Sequence, residues 1–135
     1  MSEFAWKARV YWEDTDGGGI VYYANYLKFL ERARTEWLRS FGHAQSELIH
    51  KEGIAFAVAH VEIDYRRPAR LDDELTITCA PERVGGTAVN FKQSIYRNTA
   101  DDLVAAAQVR VVCIDTRSMR PRRLPAFLTE EILTT

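Results

Sequence analysis

The chain has 135 residues, enough for one domain and short for two, so a single domain over residues 1–135 is expected. A hydrophobic share of 47% beside 27% charged residues excludes a disordered chain, and a core of this size needs no disulfide or metal staple. Lys+Arg 18 against Asp+Glu 19 gives a net charge of −1, without the basic excess of a nucleic-acid binder.

The first expected strand runs from Phe4 to Trp12, with Phe4, Trp6, Ala8, Val10 and Trp12 on one buried parity. Glu13-Asp14-Thr15-Asp16-Gly17-Gly18-Gly19 fits neither strand nor helix, because three successive glycines weaken any regular element. The period then changes. Tyr26, Leu30, Ala33, Trp37 and Phe41 fall four, three, four and four residues apart, which predicts a long helix ended by Gly42. Leu27 and Leu38 widen its apolar stripe. A shorter helical stretch, Ala44 to Glu52, stops at Gly53.

Everything after Gly53 reads as β. Ile54 to Arg67 is one run, broken at Pro68. Glu74 to Val84 and Thr87 to Asn98 flank Gly85-Gly86, a two-residue hairpin signal, and Leu103 to Asp115 follows. Thr116 to Thr135 reads as irregular. This order predicts an α+β fold in which an antiparallel sheet wraps one long helix. Its free strand edges predict pairing into a homodimer at least. The longest uncharged stretch, Leu103 to Val109, is far below the ~20 residues of a membrane span. Cys79 and Cys113 sit inside strands, are expected as buried free thiols, and with a start lacking a signal segment they place the chain in the cytoplasm.

Asp14 and Asp16 bracket Thr15 where the first strand meets the glycines. An aspartate in such a turn commonly accepts backbone N–H bonds and nothing more. Here the glycines allow close approach of a ligand, and the helix start beyond them offers amides that favour negative charge. A carboxylate beside such donors is a workable acyl-transfer site. His43, His50 and His60 match no metal-ligand spacing, and neither G-x-S-x-G nor a phosphate-loop motif is present, so no metal and no serine nucleophile are expected.

The stretch VYWEDTDGGGIVYYANYLKFLERARTEWL, residues 10–38, resembles the signature of the 4-hydroxybenzoyl-CoA thioesterase family of hotdog-fold enzymes. Val61 to Tyr65, Pro68 to Asp73 and Val111 to Asp115 match the same family, so the resemblance covers nearly the whole chain. It is greatest toward the acyl-CoA thioesterases associated with the Tol–Pal cell-envelope system. The resemblance implies a hotdog fold, dimers joined edge to edge that commonly pair into tetramers, and hydrolysis of acyl-CoA without a cofactor. It implies Asp16 as catalytic nucleophile or general base, and the backbone N–H of Tyr23 as the donor that polarises the thioester carbonyl. Many members of that branch carry His where Tyr23 stands and Tyr where Trp12 stands, so any mechanism here works without an imidazole at 23.

For substrate binding, Gly18 and Gly19 read as the place where a pantetheine arm meets the backbone. Glu31 is either a carboxylate facing the acyl group of a neighbouring subunit or a surface glutamate beside Arg32 or Arg34. Arg83 with Gly85, Gly86 and Thr87 is either a plain hairpin tip or a contact for CoA phosphate. Arg122 and Arg123, with Arg117 and Arg120, form either a solvated tail or a site for the 3′-phosphate, too small a patch for nucleic acid. Tyr22, Tyr26 and Phe29 would shorten an acyl pocket and favour short chains. An acyl carrier protein and Tol–Pal-linked proteins are further candidate partners. Two alternatives remain at this stage: a hotdog dehydratase using His60 with a carboxylate, and a non-catalytic acyl-carrier or envelope adaptor.

Overall fold

Five strands form one antiparallel sheet in the computed structural model, which describes residues 3–133. They are β1 (Phe4–Arg9), β2 (Ile54–Tyr65), β3 (Glu74–Gly85), β4 (Ala88–Arg97) and β5 (Leu103–Asp115), in the order β1-β3-β4-β5-β2. The helix α1 (Tyr26–Arg39) lies on one face and buries Tyr26, Phe29, Leu30, Ala33, Trp37 and Leu38. These join Leu75, Ile77, Phe91, Ile95 and Val109 of the sheet in one core, with Trp37 edge-on to Phe91 at 5.1 Å. Burying a side chain such as Phe29 contributes roughly 1.5–3 kcal/mol. Leu27 departs from the expected stripe and is 41% exposed. The helix ends as its sequence predicts: Gly42 takes φ +90, its N–H donates to Arg39 O, and His43 N–H reaches back to Leu38 O.

Three further departures have local causes. The first strand stops at Arg9, because Asp14 Oδ2 captures the Tyr11 N–H and turns the chain into a 3₁₀ turn over Trp12–Asp14, leaving Trp12 68% exposed. The β3–β4 turn is shifted by one residue: Gly85 pairs with Ala88, so Gly86, at φ +58, and Thr87 make the turn. The C-terminal segment is not irregular throughout. It contains α3 (Ala126–Leu133), which buries Leu128 and Ile132 one turn apart. Between α1 and β2 lies α2 (Gln45–Glu47), continued by a π turn over Leu48–Glu52 and closed by Gly53 at φ +68.

The two sheet edges differ. β1 is six residues long and carries Lys7 and Arg9, both ion-paired to Glu74. β2 is twelve residues long, bulged between Val58 and His60, and exposes Val58 and Tyr65. Short charged edges resist pairing; long apolar ones invite it. Cys79 and Cys113 are free and buried, and burial pushes the Cys79 thiol up to about 12. No helix among the described residues is long and apolar enough to cross a membrane.

Candidate active site

The Asp16 loop is built from the backbone inward. Thr15 and Val21 pair as a one-residue antiparallel bridge, Asp16 N–H donates to Ile20 O at 3.0 Å, and Tyr22 N–H donates to Asp14 O at 3.0 Å. The enclosed glycines carry the bend, with Gly17 at φ +90 and Gly19 at φ +87, values that side chains rarely adopt. At Gly18 the restriction is steric, since a Cβ there would stand 3.1 Å from Asp16 Oδ1. Gly18 N–H instead donates to that oxygen at 2.8 Å, fixing the carboxylate and leaving Oδ2 without a partner among the described residues. Asp16 itself is exposed.

A second layer holds this loop against the sheet. Val21 N–H donates to Ala69 O, Leu71 N–H donates to Gly19 O, and Arg97 Nη1 donates to Pro68 O at 2.6 Å. Arg97 is held in turn by Asp102, whose Oδ2 accepts from Nε at 2.6 Å. That bond, with a second from Arg67, holds the Asp102 carboxyl below its ordinary value of 3.8. Asp14 stabilises the loop as expected, its side chain holding Tyr11 and its carbonyl accepting from Asn25 Nδ2.

From Val21 the chain runs directly into the 3₁₀ turn Tyr23–Asn25, which leads into α1. Tyr23 and Ala24 open this turn, where a helical segment has no preceding carbonyl for its first amides. Asp16 and these donors therefore belong to one short stretch of chain. Tyr23 is 62% exposed, while its carbonyl accepts from Tyr65 Oη at 3.1 Å. Tyr65 and Tyr26, whose oxygen accepts the Ala69 N–H at 3.0 Å, thus fix the peptide frame. The sequence shows both tyrosines without revealing that role.

The other candidates lie elsewhere. Following the strands from Tyr65 and Glu74 to Ile54 and Gly85 takes eleven residues each way, roughly 35 Å. At that far end the hairpin and the arginine run meet, as Leu124 N–H donates to Gly86 O and Cys113 N–H to Thr87 O. Arg83 is exposed beside the turn. Arg122 is engaged by its own chain: Nη1 donates to Glu52 O at 2.9 Å and lies 3.7 Å from Asp115. Arg123 is exposed and has no partner among the described residues. A cleft of about 390 Å³ there is lined by His50, Lys51, Arg117 and Arg122 together with the acidic Glu52 and Asp115.

Glu31 belongs to neither group. It lines a cavity of about 150 Å³ between α1, the far half of the sheet and α3, walled by Trp37, Leu38, Phe56, Val58, Val89, Phe91, Val111, Leu128 and Ile132, with Arg34 and Gln45 as its other polar members. The cavity excludes Asp16 and Tyr23 of the same chain, and Val58 puts its rim on the open β2 edge. Sequence reading missed it because α3 supplies one wall. His60 faces Glu62 at 3.3 Å on the exposed face of β2, and no bond links it to Asp16. No group of three or more His, Cys, Asp or Glu among the described residues could hold a metal.

A long helix wrapped by a five-stranded antiparallel sheet, with a glycine-bound carboxylate before the helix, is the hotdog arrangement. The chain belongs to the Thioesterase-like superfamily, whose family description matches residues 10–132. It is 45% identical over 128 residues to the acyl-CoA thioester hydrolase YbgC of Escherichia coli O6:H1, covering 95% of this chain and 94% of that one. Among solved structures, a probable thioesterase from Bartonella henselae superposes with a TM-score of 0.86 at 38% identity, over 92% of this chain and all of that one. Slr0204, a 1,4-dihydroxy-2-naphthoyl-CoA thioesterase from Synechocystis, superposes at 0.88 with 26% identity, over 98% and 96%.

Proposed function

We propose that this chain, an acyl-CoA thioester hydrolase like its relatives, uses Asp16 as its catalytic carboxylate and completes each site from two subunits. The observation that carries the catalytic assignment is the fixed carboxylate: Oδ1 is tied to Gly18 N–H and Oδ2 is open, directly before the first amides of the helix. Oδ2 either attacks the thioester carbonyl, expelling CoA thiolate and leaving an anhydride that water cleaves, or takes a proton from the attacking water. In both routes the carbonyl oxygen gains charge beside the Tyr23 N–H, a donor whose loss typically costs about 3 kcal/mol of barrier.

The two-chain site is supported by the sheet edges. Antiparallel pairing of two β2 edges about a twofold axis sets the Asp16 end of one copy against the cavity and arginine end of the other. The acyl group would then enter the partner's cavity past Val58, with the nucleotide end near Arg123 and Arg83. A cavity of about 150 Å³ accepts on the order of six non-hydrogen atoms, in keeping with short acyl groups. An acyl-CoA substrate fits a cytoplasmic location, and an acyl carrier protein and Tol–Pal-linked proteins stand as candidate partners on family resemblance.

The test is thiol release over a series of acyl-CoA lengths, run for wild type and Asp16→Asn. Release by wild type, greatest for short chains and at least a hundredfold lower in the variant, is expected. Equal release by both proteins would remove Asp16 from the chemistry.

A further inference from the structure

Tyr65, the last residue of β2, reaches the segment that precedes α1 and donates its hydroxyl hydrogen to Tyr23 O at 3.1 Å. The same carbonyl also accepts from the Tyr26 N–H, which it shares with Ala24 O, so both of its lone pairs are engaged. The ring that delivers the hydroxyl is held on two sides, edge-on to Tyr23 at 6.2 Å and tilted against Tyr26 at 5.5 Å. Tyr26 is itself buried and pinned, accepting the Ala69 N–H at 3.0 Å. Burial of Tyr65, with Tyr23 beside it, raises the pKa of its phenol, so the hydroxyl keeps its proton at neutral pH.

A carbonyl shares its peptide group with the amide of the following residue. Tyr23 O and Ala24 N–H therefore belong to one planar trans unit, in which the two bonds point in opposite directions. Fixing the oxygen fixes the line of the Ala24 N–H. Hydrogen bonds accepted at that oxygen also polarise the group and strengthen its donor. The Tyr23 N–H belongs to the preceding unit, whose carbonyl, Tyr22 O, accepts from Asn25 N–H at 2.8 Å. Neither the Tyr23 nor the Ala24 amide has a partner among the described residues, and it is the Ala24 unit that Tyr65 serves.

We propose that the Ala24 N–H is a second donor to the thioester carbonyl oxygen, beside the Tyr23 N–H, and that Tyr65 is the positioning residue that aims and polarises it. The inference rests on the Asp16 site proposed above and adds to it a side chain from 42 positions beyond Tyr23. Tyr65 touches no reacting atom in this account. As Asp16 Oδ2 or its water adds to the thioester, charge grows on the carbonyl oxygen, and an amide already aimed there stabilises it without reorganisation. The benefit arises in the transition state, so its loss lowers kcat and leaves KM.

The experiment measures kcat and KM with the acyl-CoA that wild type hydrolyses fastest in the length series above. Four proteins are compared: wild type, Tyr65→Phe, the chain with lactic acid in place of Ala24, and the two changes combined. Lactic acid turns the amide into an ester, which keeps the methyl group and removes the N–H. Tyr65→Phe keeps the ring and loses only Oη; its kcat should fall about tenfold with KM within twofold. The ester alone should lower kcat at least tenfold. In the ester background Tyr65→Phe should cost less than twofold more, because the amide it serves is gone. A full tenfold cost in both backgrounds would show a merely structural tyrosine and overturn the proposal. So would an ester protein with turnover within twofold of wild type. Tyr65→Phe with kcat retained would overturn it too, and this arm needs no ester. Asp16→Asn is run beside them: wild-type turnover there would remove the Asp16 site and this inference with it, whereas a loss there with no effect at 24 or 65 would overturn this inference alone.

Discussion

The two ends of the sheet are braced alike and equipped differently. At the near end Arg97, held by Asp102, reaches Pro68 O; at the far end Arg122, beside Asp115, reaches Glu52 O. Each strut ties a loop to the strands. The near end then presents a carboxylate and open amides fixed by backbone geometry, with glycines where side chains would intrude. The far end presents a largely apolar cavity, a half-buried arginine and the exposed arginines Arg83, Arg117 and Arg123. The proposed reaction site and the proposed acyl site thus lie the length of the strands apart, and the twofold axis on β2 proposed above would bring them together.

Substitutions at the two ends should therefore fail in different ways. The largest effect belongs to the near end: Asp16→Asn should lower kcat at least a hundredfold, about 2.7 kcal/mol of barrier, with the melting temperature retained. Tyr23→Phe should stay within about threefold of wild type, because the proposed donor is the peptide N–H. A Tyr23→Phe loss as large as that of Asp16→Asn would put the phenol in the chemistry.

At the far end, Val58→Trp narrows the cavity from its rim and should lower kcat/KM at least tenfold, with the acyl-length profile displaced toward the smallest groups. An unchanged profile would mean the acyl chain lies elsewhere. Smaller still, Arg117→Ala with Arg123→Ala should raise KM for acyl-CoA severalfold with kcat retained, the signature of uniform binding. The rise should shrink at 1 M salt, where the Debye length is roughly 3 Å. An equal KM at low salt would return these arginines to solvent.

The smallest effect concerns the near-end strut. The folded-state pKa of Asp102 is depressed, so its stabilisation is full above the ordinary value of 3.8 and is lost as pH falls through the folded-state value. Wild type should melt above Asp102→Asn near neutral pH, and the difference should close progressively below about pH 4. A gap that persists undiminished in stronger acid would show that the carboxylate charge is not what holds Arg97.

The same division governs what the sequence reveals. α1 and β5 were legible because long amphipathic periods survive in one dimension: Tyr26, Leu30, Ala33 and Trp37 mark the helix, and Leu103–Asp115 is the strand observed. Asp16 with its glycines was legible because the loop is local, its critical bonds closing within a few residues. α3 was not, since two buried positions one turn apart give no period to count. Trp12 kept strand parity in sequence, yet Asp14 captures the Tyr11 amide and turns the ring out to solvent. Arg34 beside Arg32 looks like one more surface cation, and only the fold brings Gln93 from β4 to meet it across 59 positions of chain.

The proposed division of the site between two copies is tested most directly by complementation. Asp16→Asn and Val58→Trp, each impaired alone, are co-expressed so that mixed dimers form. In a mixed dimer one site carries both lesions, while the other pairs an intact Asp16 with an intact cavity. Random assortment in equal amounts should restore roughly a quarter of wild-type turnover. If each chain instead served its own site, the mixture would show no more than the average of the two parents, and the two-chain account would be wrong.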